Sequence, residues 1–272
     1  MANHPKFQDL TIQNDFMFKK VMRRKRICKQ LIEEILQTKI ADISYPETEK
    51  TIEPSYDGRG IRLDVTVDDE KHTHYNLEMQ VKNLKNPDTG NFILPKRTRY
   101  YQAMIDMDSL QKNQEYDLLP PTYIIFICIF DFFKCGNYVY TFKKRCLENL
   151  ELELPDETTT MFLNTLGTHG KISGNIKSFF DYVNKHIITS DFTQQIEKEI
   201  TEIKQDKRSE GEYMLWEAMK TDLKREGRAE GRKENQIDTA MRMLKRNKYT
   251  ISEIAEDTGL SIADIKEIQS NL

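Results

Sequence analysis

The sharpest chemical suggestion in this 272-residue chain comes from Asp64, Glu78 and Gln80. Ile61, Leu63, Val65 and Val67 alternate with Arg62, Asp64, Thr66 and Asp68. Tyr75, Leu77, Met79 and Val81 alternate with His74, Asn76, Glu78, Gln80 and Lys82. Alternation of period two predicts two strands, each with one buried face. The polar stretch from Asp69 to Thr73 between them can turn the chain. In an antiparallel hairpin with its turn centred on Lys71, Asp64 stands opposite Glu78 and Arg62 opposite Gln80. Directly opposed residues share a face, with Cβ atoms about 5 Å apart. Two carboxylates that close repel, and the pairing makes sense when a divalent cation sits between them. Mg²⁺ takes a couple of carboxylate oxygens and completes its shell with waters and a substrate phosphate. Such a cation lowers the pKa of a bound water and polarises a phosphate. Gln80 lies on the same face and can orient that water, but an amide does not titrate and cannot be the base. Spacing alone leaves a second reading open: the solvated face of an amphipathic hairpin, whose register one bulged residue would break.

The elements that must hold these side chains are legible on either side. Asn14 or Asp15 can cap a helix carrying Phe16, Phe18, Val21 and Met22, and a second helix is expected from Ile27 to Gln37. Tyr56 to Gly60 reads as a turn and Asn86 to Gly90 as a loop. Pro95 suits the first turn of a helix running to about Lys112. Tyr123 to Phe130 is a near-continuous apolar run and predicts a strand covered on both faces. Tyr138 to Phe142 is expected beside it, reached through Gly136-Asn137. A short strand near Met161 to Leu166 and a helix from Gly174 to Lys185 follow. Interleaved helices and strands of this kind predict a compact α/β domain over residues 1–188.

Beyond it, residues 189–233 read as a charged helical linker, a long exposed helix from Phe192 to Lys233. Glu226-Gly227-Arg228 and Glu230-Gly231-Arg232 form a four-residue repeat that puts both glycines on one helix face. They mark either a weakened helix, at about 1 kcal/mol per Gly against Ala, or a close helix–helix contact. Residues 234–272 read as three short helices in a helix-turn-helix outline, with Thr250, Ser252 and Ser261 as caps and Gly259 as a stop. The would-be recognition helix carries Asp264 and Glu267 against Lys266, the wrong balance for a groove lined with phosphates. Packing, assembly or partner docking suits it better than reading sequence.

Bulk properties narrow the class. Charged residues make up 31% and the net charge is −3, so a nucleic-acid partner must be met by local basic groups. Met22 to Arg26 and Lys143 to Arg145 are such clusters. Cysteines at 28, 128, 135 and 146 form no C-x-x-C pair, which argues against zinc and a disulfide framework. His72 and His74 flank the hairpin turn as ordinary polar residues. Met1 to Leu10 has no apolar signal core, and the run at Tyr123 to Phe130 is too short to cross a bilayer. A soluble, cytoplasmic protein without a membrane partner is expected.

Five ordered blocks resemble a known family. Asn14-Asp15-Phe16-Met17-Phe18-Lys19 is similar to its N-terminal N-D-x-x-F-K. Gly60 to Val65 and Asn76 to Gln80 are similar to its two site strands, with E-x-Q where the PD-(D/E)XK signature has a lysine. Lys96-Arg97 through Tyr100-Tyr101, then the Glu-Gly-Arg linker with Ile254 to Ser261, complete the match. The family is that of the Rpn-type recombination-promoting nucleases, also described as PD-(D/E)XK family transposases. The resemblance implies an α/β PD-(D/E)XK-like core with a central mixed sheet flanked by helices. It implies a metal-dependent DNA endonuclease acting on double-stranded DNA, tied to recombination or mobile elements and using Mg²⁺ (or Mn²⁺ or Ca²⁺). Asp64 and Glu78 become metal ligands, the Met79 carbonyl adds a third, and Gln80 stands in the lysine's place. Glu33 and Glu34 are candidates for a further glutamate, and the pattern fixes neither. Arg97 and Tyr101, four apart on one helix face, are read either as DNA-phosphate contacts or as a solvated arginine beside a packing tyrosine. A homodimer through the C-terminal helices is expected. The competing function is a DNA-binding or assembly protein on a nuclease scaffold that no longer cuts.

Overall fold

Residues 5–45, 51–52, 60–87, 89–110 and 112–272 are described by a computed structural model. The expected turn at 56–60 therefore lies, apart from Gly60, outside the described residues. Contacts divide the chain into two units, Pro5–Asp206 and Lys207–Leu272.

A sheet organises the first unit. Its strands are β1 (Ile43–Ser44), β4 (Val65–Asp69), β5 (His74–Gln80), β6 (Thr122–Cys128), β7 (Val139–Phe142) and β8 (Thr158–Asn164). They lie in the order β1-β4-β5-β6-β8-β7, and β2 (Thr51–Ile52) pairs with β3 (Ile61–Arg62) in a separate ribbon. The β4–β5 hairpin is antiparallel with Val65 opposite Leu77 and Asp68 opposite His74, the register expected for a turn centred on Lys71. β5–β6 and β6–β8 are parallel, and β7–β8 is antiparallel. The expected α/β architecture with a mixed central sheet between helices is present.

Three expectations are corrected. The strand expected from Ile61 to Asp68 is two strands: Arg62 pairs with Thr51 rather than Gln80, and the hairpin ladder starts only at Val65. β5 has no solvated face: His74 to Met79 are all buried, with Asn76 0% exposed and Glu78 3%. Tyr138 to Phe142 does not lie beside β6. β8 occupies that place, bringing seven residues of parallel ladder to the apolar β6 and leaving β7 at the edge.

The helices that enclose the sheet start and stop for local reasons. The Asn14 side chain accepts from the N–H groups of Phe16 and Met17 and caps α1 (Asp15–Met22). α2 (Lys25–Leu36) ends on Gln37 in the left-handed conformation. α3 (Leu94–Ser109) opens with Pro95 in its first turn and packs Leu94, Tyr101, Met104 and Ile105 against Ile124, Phe126 and Cys128. On the opposite face, Val139, Met161 and Leu163 line a pocket together with Ile35 and Leu36 of α2 and Ile176 of α4 (Gly174–Lys185). The exposed helix expected from Phe192 to Lys233 is two helices. α5 (Asp191–Gln205) buries Phe192, Ile196, Ile200 and Ile203, so it belongs to the packing of the first unit.

In the second unit, α6 (Lys207–Arg246) runs for 40 residues, and the expected short helix at 235–246 is its last part. α7 (Ile251–Thr258) and α8 (Ile262–Ser270) open on capping boxes at Thr250 and Ser261. Ala240 and Met243 of α6 form a small core with Ile254 and Ile265. Among the described residues, no helix is long and apolar enough to cross a membrane.

Candidate functional site

The break in the first strand builds the site. Because the ladder stops at Val65, the Asp64 N–H is released from strand pairing and donates to Glu78 Oε1 at 3.1 Å. Glu78 lies opposite Phe126 of β6 and so faces α3. Glu78 also accepts from Asn76 Nδ2 at 3.4 Å and from Arg97 Nη2 at 3.0 Å. Arg97 sits in the first turn of α3, with its guanidinium 5.0 Å from the Phe126 ring and 5.2 Å from the Tyr101 ring. Those aromatic faces favour a cation there and hold it over Glu78.

Asp64 faces a second cation. Lys19 Nζ lies 3.1 Å from Asp64 and 3.0 Å from Asp15, and the Lys19 side chain is only 6% exposed. Asp15 and Lys19 are one helical turn apart on α1, so the lysine bridges its own helix to the sheet. Burial pulls the Lys19 pKa down, but attraction to Asp64 and Asp15 outweighs it and the net shift is upward.

Both acids titrate high. Burial raises Asp64 and repulsion from Asp15 adds to it, against the pull of Lys19. Burial raises Glu78 and repulsion from Asp64 adds to it, against Arg97 and the two N–H donors. The folded state therefore holds protons that the unfolded chain gives up. Such stability is complete below the ordinary glutamate value of 4.5 and is lost as pH rises through neutrality. In EDTA the urea midpoint should fall between about pH 5.5 and about pH 8.5, and Glu78→Gln should flatten that fall. An equal slope in wild type and variant would remove Glu78 as its source.

The other expected residues are placed unevenly. Gln80 lies two positions along β5 from Glu78, but its Nε2 donates to the Lys82 carbonyl at 2.6 Å, away from the acids. Met79 follows the last β4–β5 pair, and its side chain is buried. Tyr101, expected beside Arg97 at a phosphate, is 8% exposed and belongs to the core. Glu33 accepts from the Ile40 N–H, and Glu34 from Ser173 and Asn175, both in other hydrogen-bond networks.

Sequence reasoning assigned no role to Lys19 or Asn76. The signal for Lys19 was a lysine four residues after Asp15, within a run whose Phe16, Met17, Phe18, Val21 and Met22 are all buried. A charge set among such neighbours needs a buried partner.

The set was tested as a cation site on its own chemistry. Among the described residues, no group of three or more His, Cys, Asp or Glu is arranged to hold a metal ion. Two carboxylates suffice for Mg²⁺, which fills its remaining positions with water and substrate oxygens. Three features fit: the Glu78 carboxylate on the Asp64 backbone N–H, the raised proton affinity of both acids, and a buried Asn76 Oδ1 without a hydrogen-bond partner. The raised proton affinity marks a shortage of positive charge at the two acids, which a divalent cation would relieve.

A family model described as PD-(D/E)XK nuclease family transposase matches residues 12–245, a span that takes in Lys19, Asp64, Glu78, Gln80 and Arg97. No curated protein and no solved structure matches the chain.

Proposed function

We propose that this chain, which belongs to the PD-(D/E)XK nuclease family transposases, is a metal-dependent endonuclease that hydrolyses phosphodiester bonds of double-stranded DNA. The observation that carries the reading is two buried acids side by side, Glu78 accepting from the Asp64 backbone N–H, with each carboxylate backed by one cation. Mg²⁺ is the ion in keeping with two carboxylates, and Mn²⁺ or Ca²⁺ can take the same oxygens. Asp64, Glu78 and the Met79 carbonyl would hold it. When bound, the ion supplies Lewis-acid charge to the scissile phosphate.

The chain's own residues do the remaining work. Lys19 pulls the proton affinity of Asp64 down against its burial, and Arg97 does the same for Glu78. Arg97 Nε is buried without a hydrogen-bond partner, and the side chain is 28% exposed. Its unused donors can take a phosphate oxygen, as the five-donor guanidinium fork allows. Tyr101 then acts from below, by fixing that guanidinium. Gln80 must turn from the Lys82 carbonyl to orient a water. The expected setting is the cytoplasm, in recombination or mobile-element biology, with two copies joined through the C-terminal helices.

The test is the cutting of supercoiled plasmid by purified protein in Mg²⁺, Mn²⁺, Ca²⁺ or EDTA. Nicked or linear product in Mg²⁺ or Mn²⁺ that disappears in EDTA is the expected result. A folded protein that cuts in none of these conditions would favour the second reading, a DNA-binding or assembly scaffold that does not cut. One observation leans that way: both acids already carry an internal cation, and the Gln80 amide is engaged elsewhere.

A further inference from the structure

Helix α6 presents a line of exposed charges and glycines, of which Lys220 lies 4.2 Å over the Trp216 ring of the same helix. Lys220, Lys224, Gly227, Gly231, Glu234 and Asp238 follow one another at spacings of four, three, four, three and four. Alternating steps of four and three draw one straight seam along a helix, the seam through which two helices pack. All six residues are exposed. Ala240 and Met243, which pack against α7 and α8, lie roughly 140° or more around the helix from the seam. The rest of the C-terminal unit therefore leaves the seam uncovered.

The order of charges along it is polar: two lysines, two glycines, then two acids. A parallel pair of such helices would set lysine against lysine and acid against acid. An antiparallel pair centred on Ala229 sets Lys220 against Asp238, Lys224 against Glu234 and Gly227 against Gly231. Every such pair occurs twice by the two-fold symmetry. Leu223, 62% exposed, falls beside the seam and gains cover.

The glycines supply an independent reason for a partner. Each costs a helix about 1 kcal/mol against alanine. A Cβ built at Gly227 or Gly231 would meet nothing within 4 Å, so nothing in the single chain asks for its absence. A second backbone crossing close at that point does.

We propose that two copies of this chain associate through α6, antiparallel, over the roughly 27 Å between Lys220 and Asp238, crossing at the glycine pair. This deepens the proposed pairing of copies and does not depend on metal or DNA. The contact is held by exposed ion pairs and a close backbone approach, so it is weak and sensitive to salt.

Sedimentation equilibrium of the full chain tests it without reference to cutting. Wild type should show a monomer–dimer equilibrium that weakens by at least about tenfold between about 50 mM and about 500 mM NaCl. Lys224→Glu, which sets acid against Glu234, should weaken it by about tenfold or more, and adding Glu234→Lys should restore it. Gly227→Leu should abolish the dimer while raising helix stability, which circular dichroism reads in the same samples. Restoration by the swapped pair is specific to the antiparallel register, since a parallel pair would meet like charges before and after. A chain that stays monomeric at all concentrations overturns the proposal. So does a dimer indifferent to the charge swap and to Gly227→Leu.

Discussion

Glu78→Gln and Asp64→Asn are each expected to reduce metal-dependent cutting of plasmid by at least about a hundredfold. Both substitutions preserve shape and hydrogen-bonding atoms and remove only the negative charge. An ion held by two carboxylates loses about half of its countercharge with either one, and its share of transition-state stabilisation is several kcal/mol. At about 1.4 kcal/mol per tenfold, that is two or more orders of magnitude. The two losses should not add, because either acid alone leaves the ion unbound; the double variant should be no worse than the singles. The raised proton affinity of both acids sets the matching pH dependence: cutting should rise as pH increases through neutrality. Cutting that survives in either variant would place the chemistry elsewhere and leave the acids as structural.

Lys19→Met is expected to cost the most stability. Lys19 is buried between Asp15 and Asp64, and removing one member of a buried pair leaves uncompensated charge worth roughly 3–5 kcal/mol. Urea denaturation in EDTA reads the loss. Asp15→Asn in the same background should recover part of it, since Asp64 then faces one fewer like charge. Mg²⁺ should also stabilise Lys19→Met more than wild type, because a cation on Asp64 replaces the one removed. A loss below about 1 kcal/mol would mean that Asp64 is protonated in the folded protein and that the lysine is no counter-ion.

The core of this arrangement was legible in the sequence because a hairpin's register is fixed by counting. Counting from Lys71 at the turn sets Asp64 across from Glu78; the β4–β5 ladder keeps that sum as far as Val65 and Leu77 and stops there. The parallel partners of β5 were less legible. Nothing local in Tyr138 to Phe142 says that β8 rather than β7 will lie against β6; that choice is made by long-range ladders. The break before Val65 was hidden for a similar reason, since Ile61 and Leu63 continue the apolar alternation while the backbone changes partners. Lys19 and Arg97 come from helices far along the chain from the acids they meet. Their spacing could suggest a buried charge but not its partner. α5 was read as exposed because its polar residues dominate by count, although Phe192, Ile196, Ile200 and Ile203 mark a buried stripe at helical spacing.

The position of Glu78 on β5 has a consequence for how the site behaves between folding and unfolding. β5 is locked to β4 on one edge and to β6 on the other, whereas β1 and β7 close the sheet from its margins. Local openings in native proteins begin where few bonds hold, so the margins fray first and the central ladders yield only with the whole molecule. The amide protons of Asn76 to Glu78 accordingly belong with the slowest to exchange into heavy water. Fluctuations that unmake the periphery leave Glu78 in place, with Asp64, just beyond the end of the β4–β5 ladder, tied to it by its own N–H.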